Sequence, residues 1–149
     1  MIKPFKKRYL LPTLISSGLM LMGASSLSAQ ITNPIIAHIN HKFTVANATL
    51  PPGTYTFQIM PGTDLTVMTV SNKDGTIADE FLVRESEASH VPKHSELVFN
   101  RYDGREFLTH VYEQGSRIGV AVAETSRAEL RLQKQGRHPY EHTEEQSGS

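Results

Sequence analysis

The sequence predicts an all-β domain: a single antiparallel β-sandwich or small barrel of about seven strands, with a short C-terminal helix. Three observations predict it. Apolar and polar residues alternate over short runs, as in Ile35–Val45 and Thr54–Met60. Turn residues punctuate those runs, at Pro51-Pro52-Gly53, Pro61-Gly62, Asn72-Lys73-Asp74-Gly75, Asp103-Gly104 and Gln114-Gly115-Ser116. The 149-residue chain has no cysteine, so burial alone must hold a domain of this size together.

The first 29 residues read as a secretory signal peptide rather than as part of that domain. Lys3, Lys6, Lys7 and Arg8 form a basic start. Tyr9 to Met22 is apolar, and Gly23-Ala24-Ser25-Ser26-Leu27-Ser28-Ala29 supplies the small residues of a cleavage site. The apolar stretch falls short of the roughly 18–20 residues that a membrane-spanning helix needs, and Pro12, Ser16, Ser17 and Gly18 interrupt it. Cleavage after Ala29 is expected, leaving no membrane span, and the protein is expected to be periplasmic or extracellular. The chain has 15 basic and 15 acidic residues, and four of the basic ones lie in the signal. Eleven against 15 remain, a formal charge of −4. That balance, without a basic run, argues against nucleic acid as a partner.

Residues 30–135 form the predicted β domain. Ile35 to Val45 is its first strand, with Ile35, Ala37, Ile39, His41, Phe43 and Val45 on one face. Pro51-Pro52-Gly53 predicts a type II turn, because glycine there adopts positive φ. Thr54–Met60 follows, with Tyr55, Phe57 and Ile59 on one face. Leu65–Val70 and Ile77–Arg84 form a hairpin around Asn72-Lys73-Asp74-Gly75. Pairing Asn72 with Thr76 sets Val67 opposite Phe81 and Leu65 opposite Val83. Glu85 to Ser95 reads as an exposed connection.

Glu96–Tyr102 and Arg105–Tyr112 flank Asp103-Gly104, a two-residue I′ turn. This register pairs Tyr102 with Arg105, Arg101 with Glu106, and Phe99 with Leu108. One face carries Leu97, Phe99 and Leu108; the other carries Val98, Phe107 and Val111. Apolar residues on both faces predict a hairpin covered on both sides. Arg117–Ala123 is the last predicted strand. Ser126 precedes Glu129 at capping-box spacing, so Arg127–Gln135 is the helix, with Leu130 and Leu132 against the body and Gly136 ending it. Residues 136–149 are polar and charged and are expected to be disordered.

Two segments carry a resemblance. Phe43-x-Val45-x-Asn47-x-x-Leu50-Pro51-x-Gly53-x-Tyr55, together with Leu97-Val98-Phe99-x-Arg101-Tyr102 and Phe107-Leu108, resembles a group of short, exported, uncharacterised bacterial β-rich proteins. The likeness covers roughly Ile35 to Val111. It implies export and a β fold, and brings no activity, cofactor or catalytic residue with it.

Seven histidines are the richest reactive type. His90 and His94 have metal-like spacing, and Glu85 or Glu87 would have to complete a site. Pro92 between them makes a solvated loop the better account. His38 and His41 lie on opposite strand faces, and His138 and His142 belong to the tail. Asn72-Lys73-Asp74-Gly75 brushes a calcium-loop pattern but has Val70 and Phe81 where acidic ligands belong. Asp79, Glu80, Glu85 and Glu87 would be the carboxylates of a glycosidase, yet at a strand end such acids usually form a solvated rim. Asn47-Ala48-Thr49 is a glycosylation sequon. Tyr55, Phe57, Tyr102, Phe107 and Tyr112 fit core packing better than a ligand groove. No catalytic, cofactor-binding or metal residue is assigned, and no cofactor is expected. The expected function is an exported, non-enzymatic binding or structural module with a protein or cell-envelope partner. The alternatives are a small exported hydrolase using carboxylates or a histidine-bound metal, and a barrel carrying an apolar ligand.

Overall fold

A computed structural model describes residues 31–60 and 66–146. The signal segment, the Pro61-Gly62 turn and Leu65 lie outside the described residues. The fold is all-β with one short helix, as the alternation predicts. Among the described residues the sheet is open and mixed, with ten strands rather than about seven.

The first expected strand is two. β1 (Ile35–Ile39) and β2 (Phe43–Val45) are separated at Asn40-His41-Lys42 because they pair with different neighbours. β1 runs antiparallel to β4 (Gly53–Ile59). β2 forms a tight hairpin with β3 (Ala48–Leu50) and lies parallel to β8 (Arg105–Tyr112), with Phe43 beside Glu106. This parallel pair makes the sheet mixed. The expected face survives the break: Ile35, Ala37, Ile39, Phe43 and Val45 are all buried.

The type II turn at Gly53 is corrected. Gly53 opens β4 and its φ is not positive; the positive φ in this region belongs to Ala46, at 46°, in the turn between β2 and β3. What Gly53 supplies is room. A Cβ there would stand 3.3 Å from the Tyr55 ring, whose hydroxyl donates to the Pro51 carbonyl at 2.6 Å.

β5 (Val67–Asn72) and β6 (Ile77–Glu87) form the next hairpin. Asn72 N–H donates to the Thr76 carbonyl at 2.8 Å, as the turn predicts. A bulge then shifts the register between Val70 and Ser71, so Met68, not Val67, faces Phe81. One extra residue moves every later side chain to the other face, and Met68 and Val70 become the buried residues of β5. β6 continues to Glu87 and pairs with β9 (Ile118–Val122), so the exposed connection is shorter than expected, and Ala88 and Pro92 within it are buried.

β7 (Ser95–Tyr102) and β8 carry the expected I′ hairpin, with Asp103 at φ 49° and Gly104 at φ 81°. Tyr102–Arg105, Arg101–Glu106 and Phe99–Leu108 are opposed as predicted. A bulge between Val98 and Phe99 places Val111 in the main core with Leu97, Phe99 and Leu108, correcting its expected face. Gly104 has open space around it, so Gly104→Val is resisted by backbone conformation alone. Chemical denaturation is expected to show a loss of about 1–2 kcal/mol, the cost of left-handed backbone for a residue with a Cβ.

Helix α1 (Arg127–Lys134) begins at Ser126, whose Oγ accepts from Glu129 N–H at 3.0 Å. Gly136, at φ 74°, ends it. Leu130 is exposed; Glu129 is the residue buried against the body. The expected disordered tail is also corrected. Tyr140–Gln146 is a strand, β10, laid antiparallel along β7 from Arg101 to Ser95. Its pattern is polar, but β7 had a free edge, and a free edge supplies backbone partners to any extended segment.

The main core draws Ile35, Phe43, Tyr55, Phe57, Met68, Phe81, Phe99 and Val120 from along the whole sheet. Ala88, Val98 and Tyr112 form a satellite cluster.

Candidate functional site

The hairpin β7–β8 has the core on one side and α1 on the other, and the cleft beside α1 holds the most developed polar site. Tyr102 and Phe107 meet there edge to face, 5.7 Å apart. Glu129 sits on the first turn of α1 with only 4% of its surface exposed. Its Oε1 accepts from Asn100 Nδ2 at 2.7 Å and from the Tyr102 hydroxyl at 3.0 Å. Gln133 Nε2 donates to the same hydroxyl at 3.1 Å. The capping spacing therefore works by halves. Ser126 caps the helix, while the Glu129 carboxylate turns inward to satisfy two sheet donors instead of the helix N-terminus. A buried carboxylate held by two donors costs far less than a bare one.

This arrangement anchors the helix to the sheet and lines a cleft of about 180 Å³ together with Arg84, Asn100, His110 and Glu124. Burial raises the Tyr102 hydroxyl above its usual 10.0; the bond from Gln133 opposes the rise, and Glu129 adds to it.

His110, on the cleft wall, is held below the usual 6.5, first by burial, with Arg84 adding and Glu141 opposing. Its ring stacks on Tyr112 at 7° and 5.8 Å. The unfolded chain takes up a proton there that the folded chain refuses. The stability His110 contributes is thus present above pH 6.5 and is lost as pH falls through its depressed folded value. Urea midpoints measured from about pH 8 down to 5 should fall below the unperturbed histidine range, and His110→Phe should flatten that fall.

The sequence-derived candidates are scattered. His90 Nε2 stands 3.2 Å from Glu96 Oε1, a buried carboxylate the sequence did not single out, while His94 is exposed without joining it. Glu85 and Glu87 are exposed on β6, and Glu87 pairs with Arg117 at 3.0 Å. Asp79 and Glu80 line a surface groove near Glu124. Consecutive residues on a strand face opposite ways, so these two do not form a facing pair. Asn47 of the sequon is exposed, and its Oδ1 accepts from Arg127 N–H at 3.3 Å. The aromatic set divides: Tyr55 and Phe57 lie in the main core, Tyr102 and Phe107 on the helix side, and Tyr112 in the satellite cluster. His38 bonds Thr54 Oγ1 at 3.1 Å, whereas His41 faces Glu144 of β10.

The sequence reading did not single out Glu129 as a buried carboxylate, His110 on the cleft wall, or the approach of the His41 and His142 rings to 6.0 Å. Only Glu129 left a local signal, the capping spacing, and that pointed to a different bond. No helix among the described residues is long and apolar enough to cross a membrane. No family model, curated protein or solved structure matches the chain.

Proposed function

We propose that the protein is exported and acts, without catalysing a reaction, as a binding or structural module of the periplasm or cell surface. The observation that carries this reading is the filled interior. Phe43, Phe57, Phe99, Ile39, Met68 and Leu97 are almost wholly buried and occupy the space an apolar ligand would need. The polar cleft beside α1 holds about 180 Å³, and the other hollows, of about 300–480 Å³, are grooves on the surface rather than cavities in the core. A surface that engages another macromolecule needs no deep pocket. The finer architecture belongs to the same proposal. With β1 and β10 near each other at the two ends of the sheet, we read the sheet as rolled toward a small barrel around one core. The basic–apolar–small start and the resemblance to exported bacterial β-rich proteins support export.

Native mass spectrometry of the protein recovered from its host tests the reading. The expected species begins at Gln30, carries no small molecule and appears in complex with a protein or envelope component. A stoichiometric apolar ligand would install the carrier reading instead. Retention of Met1–Ala29 would overturn export as a soluble protein. Turnover of ester or glycoside substrates, lost in Glu129→Gln, would install the hydrolase.

A further inference from the structure

Past His110, which lines both, the cleft beside α1 gives way to a surface groove of about 300 Å³. Its apolar floor is the satellite cluster of Ala88, Val98 and Tyr112. One wall is made by the His110 and Tyr112 rings, stacked at 7° and 5.8 Å. Tyr112 is held in place: its hydroxyl shares a hydrogen bond with Ser86 Oγ at 3.2 Å, and its ring fills the space where Gly119 has no side chain. The opposite rim is the start of the connection from β6 to β7. It is pinned by Ala88 N–H, which donates to the Arg117 carbonyl at 2.8 Å, and by Gly115 N–H, which donates to the Pro92 carbonyl at 2.9 Å. A groove formed in advance costs a ligand little ordering of the protein.

The charge lining this groove has one sign. Glu87, Glu96 and Glu141 line it, and among the described residues no lysine or arginine does. Glu87 is taken by Arg117 at 3.0 Å. Glu141 belongs to no ion pair among the described residues. His110, held below its usual 6.5, brings no positive charge at neutral pH.

Glu96 is the informative member. It is 4% exposed, and its Oε1 lies 3.2 Å from His90 Nε2. That is the one hydrogen bond its carboxylate makes among the described residues. Its Oε2 is not one of the sealed, partnerless atoms, which are His41 Nε2 and Glu106 Oε2, so Oε2 meets the groove. A carboxylate this buried, with an oxygen to spare, is costly until a donor reaches it. The register adds to the cost. Glu145 of β10 stands directly opposite Glu96, and like charges so placed destabilise a sheet.

We propose that this groove binds a primary ammonium on an aliphatic stem, the lysine side chain of a protein partner, with Glu96 Oε2 accepting from the ammonium and the apolar floor covering the stem. Lysine carries three donors on a flexible four-carbon chain, which matches an acidic wall above apolar side chains. A guanidinium prefers both oxygens of a carboxylate, and His90 already takes one of them. A neutral ligand would leave the charge uncompensated. The aromatic wall also favours a cation. This inference rests on the reading of the protein as a binding module and names the group its partner presents.

Amide NMR titration of the mature protein tests it, at about pH 8, above the histidine range. The probes are a blocked glycine–lysine–glycine tripeptide, the same peptide acetylated on the lysine nitrogen, and pentylamine. The lysine peptide is expected to shift amides in residues 86–90, 96–98 and 110–112, and the acetylated peptide to leave them in place. Glu96→Gln should weaken binding about 10–100-fold, and Glu80→Gln, an acid elsewhere on the surface, should not change it. The comparison of the two peptides on the unmodified protein holds the test even where Glu96→Gln fails to fold. No shift at these residues overturns the proposal. So does an equal response to both peptides, or full binding in folded Glu96→Gln. Pentylamine binding without the peptide overturns the protein source. A native complex that survives Glu96→Gln keeps the module reading and removes this groove from it.

Discussion

Replacing Phe99 by alanine is expected to destabilise the fold by about 3–5 kcal/mol, the range for emptying a fully buried aromatic site. Phe99 is 0% exposed. Its ring meets Phe43 at 79° and 6.0 Å, and His41 at 78° and 5.4 Å. Across the ladders it lies opposite Leu108 on β8 and His142 on β10. The cavity would therefore open among three strands that cannot collapse independently. Urea denaturation checks this, with Gly104→Val as the smaller reference. Arg101→Ala tests a different force. Sequence alone gives Arg101 and Glu106 the small value of an exposed cross-strand pair, but Glu106 is buried, and losing its cation strands the carboxylate. Arg101→Ala should thus lose clearly more than a surface substitution, and adding Glu106→Leu should recover much of the loss. Equal, small losses for Phe99→Ala and Arg101→Ala would contradict both burial assignments.

Removing residues 140–149 is the second large effect. Were the tail disordered, its removal would change nothing. As β10 it covers the β7 edge, and its side chains reach Arg101, Glu106, His41 and, through Gln146 Oε1, the His38 N–H at 2.9 Å. Ladder hydrogen bonds contribute about 0.5–1.5 kcal/mol each, and ordering each residue costs about 1–2 kcal/mol, so the two nearly cancel. The charged side-chain bonds decide the balance, at about 1.5–3 kcal/mol for a bond to an ionised group. A loss on the order of 2–3 kcal/mol is expected, together with concentration-dependent association through the uncovered β7 edge. Denaturation and light scattering of the truncated chain are the measurements. An unchanged midpoint and a monodisperse sample would remove β10 from the fold.

What was legible in the sequence was what is decided locally. The β7–β8 hairpin could be read because Asp103-Gly104 sets both the turn and the first pairs. The start of α1 could be read because Ser126 and Glu129 are three residues apart. The bulges at Val70/Ser71 and Val98/Phe99 could not, since each depends on which face a neighbouring strand buries. The break in Ile35–Val45 had no local mark either, because only tertiary pairing sends β1 to β4 and β2 to β8. Tyr140–Gln146 hid for a third reason. It is a strand with no apolar face, and its inward His142 and Glu144 meet Glu106 and His41 rather than aliphatic side chains. The polar cluster shared that invisibility, since half of it lies on the strand that periodicity could not find.

Gln146 beside His38 has a topological consequence. The first and last strands lie next to each other, so the described chain comes close to a closed circuit. Joining the end of β10 to the residues before β1 through a short glycine-rich linker would reroute connectivity without crossing the sheet. New termini could then open at the exposed Lys73-Asp74 turn, where nothing packs against Gly75. In such a permutant β10 would be made in the middle of the chain and would find its edge early, instead of waiting for the rest of the domain to be complete.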